Sequence, residues 1–354
     1  MTLILLLSAL AFGQARPVTP TYAGNCQAPA WSPDGARLSF EVNDHDARKV
    51  ELYMYKPGAG DPVPVRPPVG SGGRTSGFSG AQGRSVVGDL AWGPKMIGRY
   101  VYAASAGAGD YEIFIEGSAN PMAPSPDTDG DPTWSADSFF IAFTSGRTGQ
   151  GDLYLIDLRA IDQPPRRLSA NNDAAELDAR FSPAGHSLVY VSHRDGSDRL
   201  MVIEDVAAPS AKALTSAGGS QTRPTWSPDG SLVAFYDHSA PDGRVDLAVV
   251  GRGGGAPRVL VKGVVPNTRG PTWTPDSQHL VLVKDEDDRL DPVYAVPVAA
   301  PSPRLIQTGT VGNTDTDVVL GTDGKLWLAV AAQGLTGDDK RDFRRVFVMP
   351  LTGL

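Results

Sequence analysis

The sequence predicts an all-β chain folded as a β-propeller of four-stranded antiparallel blades, with seven blades the favoured count. Three observations point there. A turn string led by an aromatic recurs at near-constant spacing, and each copy is flanked by short apolar runs of strand length. Glycine (40) and proline (30) together make up about a fifth of the 354 residues. Such a content excludes long helices, because both residues break them. The 41% apolar fraction is enough for a packed core.

The chain opens with Leu3 to Phe12, an uninterrupted apolar run of ten residues. A membrane-spanning helix needs about 20, whereas a signal-peptide core is shorter. Small residues at Gly13 and Ala15 place the expected cleavage after Ala15. The expected division is therefore 1–15 signal peptide and 16–354 propeller. No Lys or Arg precedes the run, and a buried first strand is the alternative. Cys26 lies too far beyond the run to carry a lipid anchor, and as the lone cysteine it forms no internal disulfide. It reads as a small buried residue. No other apolar run approaches membrane length, so the expected location is periplasmic or secreted.

The repeat organises the rest. Trp-Ser-Pro-Asp-Gly stands at Trp31–Gly35 and again at Trp226–Gly230. Shorter copies begin at Trp92, Trp134, Phe181 and Trp273, and a seventh at Leu320 keeps only the turn. The spacings are 61, 42, 47, 45, 47 and 47 residues. In each unit an apolar strand ends at the aromatic. Ser-Pro-Asp-Gly then turns the chain: Pro presets φ, Asp bonds the local backbone, and Gly takes a positive φ. A second apolar strand follows, such as Leu232–Phe235, then a third, such as Asp152–Ile156, and a weaker fourth around Arg166–Leu168 or Arg258–Leu260. Four strands per 40–50 residues is the size of a propeller blade.

The last unit runs out of chain after its third strand, Arg345–Met349. Residues 16–25 are expected to supply its outer strand and so close the ring. The one irregular span is 57–88, a Gly/Ser/Pro-rich insertion between units 1 and 2. The turn of unit 2 lacks both Asp and Gly, which leaves six blades plus an appendage as the other count.

These repeats resemble the TolB-type β-propeller of bacterial periplasmic proteins. Ser145-x-Arg147-x-Gly149 and Ser192-x-Arg194-x-Gly196 match that family's loop between second and third strands. The resemblance covers the propeller, not the α/β domain that precedes it in TolB. It implies as partner an envelope protein or one like the peptidoglycan-associated lipoprotein. It does not itself imply catalysis.

The repeat also aligns candidate site residues. Three positions before each aromatic stand Ala28, Asp89, Asp131, Asp178, Arg223, Gly270 and Asp317. Five before, Asp129, Glu176 and Asp315 share a phase with Cys26, Val87, Gln221 and Thr268. Equal phase means equal height around the axis. Asp89, Asp131, Asp178 and Asp317 are therefore expected to face one another at the channel mouth, with Arg223 opposing them and Arg269 one residue out of phase. Converging carboxylates suit a hard cation such as Ca²⁺, or a cationic group of a partner. The other reading is that they cap turns and neighbouring main-chain amides. Asp127–Asp131 fails the EF-hand pattern, with Gly at the fourth place and Ser138 where Glu is needed. His193 and His238, each 12 residues past their aromatic, are expected on surface loops rather than at a metal. The acidic run Asp285–Asp288 reads as a solvated face.

Several functions are excluded or disfavoured. A net charge of -8 argues against a nucleic-acid binder. No G-x-S-x-G, phosphate loop, Rossmann fingerprint or H-E-x-x-H occurs. The expectation is a monomeric, exported, non-catalytic binding or scaffold module without a required cofactor. The alternative is a carbohydrate lyase or hydrolase using channel carboxylates.

Overall fold

The computed structural model describes residues 15–19, 24–44, 46, 49–66, 85–105, 111–169, 174–216, 219–286, 291–334 and 343–354. Those residues form seven four-stranded antiparallel blades of a β-propeller. Blade 5 shows the plan: Gln221–Trp226 lies innermost, followed outward by Leu232–Asp237, Asp246–Gly251 and Arg258–Lys262. Blade 3 (Asp129–Trp134 to Arg166–Arg167) and blade 4 (Ala175–Phe181 to Ala211–Ala213) repeat it. In blade 2 (Ser85–Trp92, Tyr100–Ser105, Tyr111–Ile115) the outer place is taken by residues around Met122, whose N–H donates to the Ile113 carbonyl at 2.8 Å. Blade 6 begins in two pieces, Val264–Val265 and Thr272–Trp273, both on His279–Lys284.

Alternation of side chains along each strand builds the core. In blade 6, Leu280 and Leu282 pack toward blade 5, whereas Val281 and Val283 pack toward blade 7. Each of the seven apolar clusters is shared by two consecutive blades, and the cluster of Trp31, Phe40, Ala329 and Val346 joins blade 7 to blade 1. No blade buries both of its faces alone, so the ring has to close. The inner-strand tryptophans add a polar staple: Trp92, Trp226 and Trp273 donate their Nε1–H to carbonyls of the preceding blade, Ala30, Arg180 and Thr225, at 3.0, 3.1 and 3.3 Å.

The repeated turn works as its residues predict. Ser227 Oγ donates to Asp229 Oδ1 at 2.6 Å and accepts the Leu232 N–H at 3.0 Å. Asp229 in turn accepts the Ser231 N–H at 3.0 Å, and Gly230 has φ 71°. The same 2.6 Å bond joins Ser32 to Asp34, Ser135 to Asp137 and Thr274 to Asp276. At the fourth turn residue of blades 3 and 6, Ser138 and Ser277 take the left-handed conformation without being glycine.

Closure uses the chain's start, over a shorter span than expected. Arg16 and Pro17 pair with Val348 and Phe347 on the outer edge of blade 7, and Val18 donates to the Val346 carbonyl at 2.9 Å. Asn25 already belongs to the inner strand of blade 1, so 16–25 as a whole is not the closing strand; residues 20–23 lie outside the described residues. Residues 1–14 of the expected signal peptide also lie outside, and Ala15 donates its N–H to the Thr308 carbonyl at 3.2 Å. Within the span 57–88, Val63–Pro64 is the outer strand of blade 1 and 85–88 opens the inner strand of blade 2. Ser85 and Val86 pair in parallel with Lys49 and Val50, and 67–84 lie outside the described residues. No helix among the described residues is long and apolar enough to cross a membrane.

Candidate functional site at the channel mouth

The residue three before the aromatic is where the inner strand bulges. Register shifts occur there in blades 1 to 5. Ala28, Asp89, Asp131, Asp178 and Arg223 take φ of 51°, 49°, 48°, 52° and 53°, and Gly270 takes 97°. A bulge re-aims its side chain, and Asp tolerates the left-handed conformation better than most residues. Asp317 is the exception. It pairs with Ala329 in an unbroken ladder, so its side chain keeps the ordinary strand direction.

Consequently Asp89, Asp131, Asp178 and Arg223 line one cavity of about 650 Å³, and Asp317 does not. The Asp317 carboxylate instead accepts the Trp31 N–H at 2.6 Å. Arg269, expected one residue out of phase, joins the lining, as do two charged side chains that the phase argument did not select, Glu41 and Arg180. Arg180 had a signal, being the one charged residue immediately before an aromatic of the repeat. Glu41 sits on a second strand, outside the phases compared.

Several carboxylates cap main-chain amides, as the second reading of the ring expects. Glu41 Oε1 accepts the Asp89 N–H at 3.2 Å, Asp89 accepts the Asp131 N–H, and Asp178 Oδ2 accepts the Arg223 N–H at 3.2 Å. The guanidiniums are tied to carbonyls: Arg223 to Asn267 and Thr268, Arg269 across the channel to Leu90, and Arg180 to its neighbour Ala179 at 2.7 Å. Among the described residues, no ion pair joins any of these carboxylates to any of these guanidiniums.

Confinement raises the proton affinity of the carboxyls. Burial, then the charges of Asp89 and Asp178, push Asp131 up to about 7. Asp89 is reached by water from the channel, yet the surrounding wall and the Glu41 charge still hold it at about 6. Burial also raises Glu41 and pulls the Arg269 guanidinium below its usual value.

Of the residues five before the aromatic, Asp129 lines the cavity, whereas Glu176 and Asp315 do not, and all three are buried. Asp129 is fully buried and ion-paired to Arg147 at 2.8 Å, although burial still lifts it to about 6. Glu176 is buried and pushed up to about 7 by that burial. Asp315 Oδ1 accepts the Thr268 N–H at 2.6 Å. Cys26 is buried and its thiol pushed up to about 12 by burial, which leaves it inert at neutral pH. His193 and His238 are exposed, bonded to Asp198 and Thr222 at 2.6 and 2.9 Å. Among the described residues no three His, Cys, Asp or Glu side chains form a group that could hold a metal ion. Asp287 and Asp288 of the acidic run lie outside the described residues.

The family model PD40, the TolB beta propeller domain, matches residues 91–262 and again 171–337. The chain belongs to the TolB β-propeller family. A 104-residue stretch is 35% identical to the Tol-Pal system protein TolB of Desulfotalea psychrophila, over 29% of this chain and 23% of that protein. The match thus spans about a quarter of the TolB relative. Among solved structures, TolB from Acinetobacter baumannii superposes with a TM-score of 0.55 at 17% identity, covering 90% of this chain and 65% of that one. An oligogalacturonate lyase from Vibrio parahaemolyticus superposes at 0.66 and 10% identity, covering 96% and 93%. A puromycin-hydrolyzing peptidase of Mycobacterium tuberculosis superposes at 0.62 and 14%, covering 94% and 55%. At such identities these three share the fold alone with this TolB-family propeller.

Proposed function

We propose that this chain is an exported binding propeller of the cell envelope, whose channel mouth takes a charged segment of a partner protein. The observation that carries the reading is the cavity itself. Glu41, Asp89, Asp131 and Asp178 share with Arg180, Arg223 and Arg269 one space of about 650 Å³. Such a surface recognises charge by position. The similarity to a TolB of a Tol-Pal system supports a partner within the envelope.

The test is photo-crosslinking in the envelope fraction from a probe at Thr268, on the cavity rim, with the native chain and with Asp131→Asn/Asp178→Asn. A discrete partner that disappears in the double variant supports the reading. An identical crosslink pattern in both would reject it. Amino-terminal sequencing of the exported chain tests cleavage after Ala15.

A second reading, a carbohydrate lyase or hydrolase, draws on the match to an oligogalacturonate lyase over nearly the whole of both chains. Carboxyls held near 6 and 7 have the proton affinity of acid–base catalysts at neutral pH. Unsaturated or shortened products from oligogalacturonides, with and without Mn²⁺, would establish it in place of the first.

A further inference from the structure

We propose that the channel mouth binds a zwitterionic ligand, a short peptide whose ammonium sits on Asp131 and whose carboxylate sits on Arg180. This rests on the binding reading above and names the chemistry of the bound segment.

The argument starts from a charge arrangement that ought to collapse. Opposite charges a few ångströms apart in a confined space attract strongly, and mixed acidic and basic side chains in one cavity normally pair. Here they do not, because most are tethered elsewhere. Glu41 is held by the Gln27 amide and the Asp89 N–H, and Asp178 by the Arg223 N–H. Arg223 and Arg269 are anchored on carbonyls of residues 267, 268 and 90.

Two groups are left over. The Asp131 carboxylate has no hydrogen-bond partner among the described residues, and Arg180 reaches only the carbonyl of adjacent Ala179. They lie on neighbouring blades 3 and 4, both line the cavity, and the Arg180 charge acts on Asp131 without an ion pair forming. The space is therefore set for two opposite charges brought in together. A lone anion would face four carboxylates, and a lone cation would leave Arg180 unmatched. At about 650 Å³ the cavity is far larger than an ion needs and lies within the about 300–1,000 Å³ of small-molecule sites.

The experiment is native mass spectrometry of the intact chain with a mixed-sequence tripeptide pool in three forms: free termini, N-acetylated and C-amidated. The free pool is expected to bind at least tenfold more tightly than either blocked pool. Asp131→Asn should remove the advantage of the free ammonium, and Arg180→Gln that of the free carboxylate. Because the blocked pools are compared on the native protein, the result does not depend on the variants folding. Equal binding of free and blocked pools overturns the inference, as does binding of none. So does full affinity of the amidated pool, which would mean that only a cation is read. Should the peptides fail while Asp131→Asn/Asp178→Asn still loses its envelope crosslink, the zwitterion is wrong and the binding reading stands. Loss of neither would remove both.

Discussion

The carboxylate of Asp317, in the last blade, accepts the backbone N–H of Trp31, in the first, at 2.6 Å. The two residues are 286 positions apart, and their bond lies at the seam where the ring closes. Burial lifts the Asp317 carboxyl to about 6, against the Trp31 N–H and the Arg269 charge. Asp317→Ala should leave that amide unsatisfied and cost about 1–3 kcal/mol. Urea unfolding with an unchanged slope would measure it, and an unchanged midpoint would count against the seam role.

The outer edge of blade 7 predicts a second effect. Removing residues up to 23 strips Arg16, Pro17 and Val18 from the Phe347 strand and exposes its ladder groups. Each lost bond is worth about 1 kcal/mol net, so a chain beginning at Gly24 should melt several degrees below one beginning at Ala15. Coincident melting curves would show that blade 7 needs no fourth strand.

Stability should depend on pH in a defined sense. Burial raises Asp131 and Glu176 to about 7 and Asp129 to about 6. All three lie above the ordinary carboxyl range near 4. Between about pH 4 and 7 the folded state therefore binds more protons than the unfolded chain, and stability falls as pH rises through that window. Asp131→Asn should flatten this slope and raise the melting temperature at pH 8. A melting temperature that climbs from pH 5 to pH 8 would contradict the raised values.

The turns predict the opposite slope in acid. The Ser227 hydroxyl, then the Ser231 N–H and hydroxyl, hold Asp229 below the usual carboxylate range. Its stabilisation is present above about pH 4 and lost as pH falls through the lowered value. Asp229→Ala should cost about 1 kcal/mol at neutral pH and become neutral in strong acid. Equal costs at both pH values would mean that the carboxylate does not act through its charge.

The tryptophan staple is separable from its packing. Trp226→Phe keeps most of the ring in the blade 4–5 core but leaves the Arg180 carbonyl without its Nε1–H partner. A loss of about 1–2 kcal/mol is expected. Because that carbonyl belongs to Arg180, peptide binding at the channel mouth should weaken with it. Unaltered binding would show that the Arg180 side chain is positioned independently of its main chain.

The architecture was legible because its signals are local. The turn bonds that set the blade span at most five residues, as between Ser227 and Leu232. The spacing of those turns, with apolar strands between them, is enough to specify blades that must stack. Even the closing strand was visible as a missing piece, though only Arg16–Val18 rather than 16–25 makes the pairing.

The candidate site was legible in half. Phase alone brought together Asp89, Asp131, Asp178 and Arg223, because the same bulge recurs beneath each of them. It misplaced Asp317, whose strand lacks the bulge; of the second set, Asp129 does line the cavity, whereas Glu176 is buried within its blade and Asp315, also buried, caps Thr268. Arg269 was visible one residue out of phase, whereas Glu41 carried no usable signal, since it lies on a second strand outside the phases compared.

The sequence by itself determined the blade and its turn chemistry, because those depend on residues a few positions apart, and it favoured seven blades over six. Only the tertiary structure decided which charges share the cavity and which are tied down. That choice is made between blades, by bonds such as Arg223 N–H to Asp178 across 45 residues. A backbone bulge aims each side chain, and a neighbour on the next blade either holds it or leaves it free.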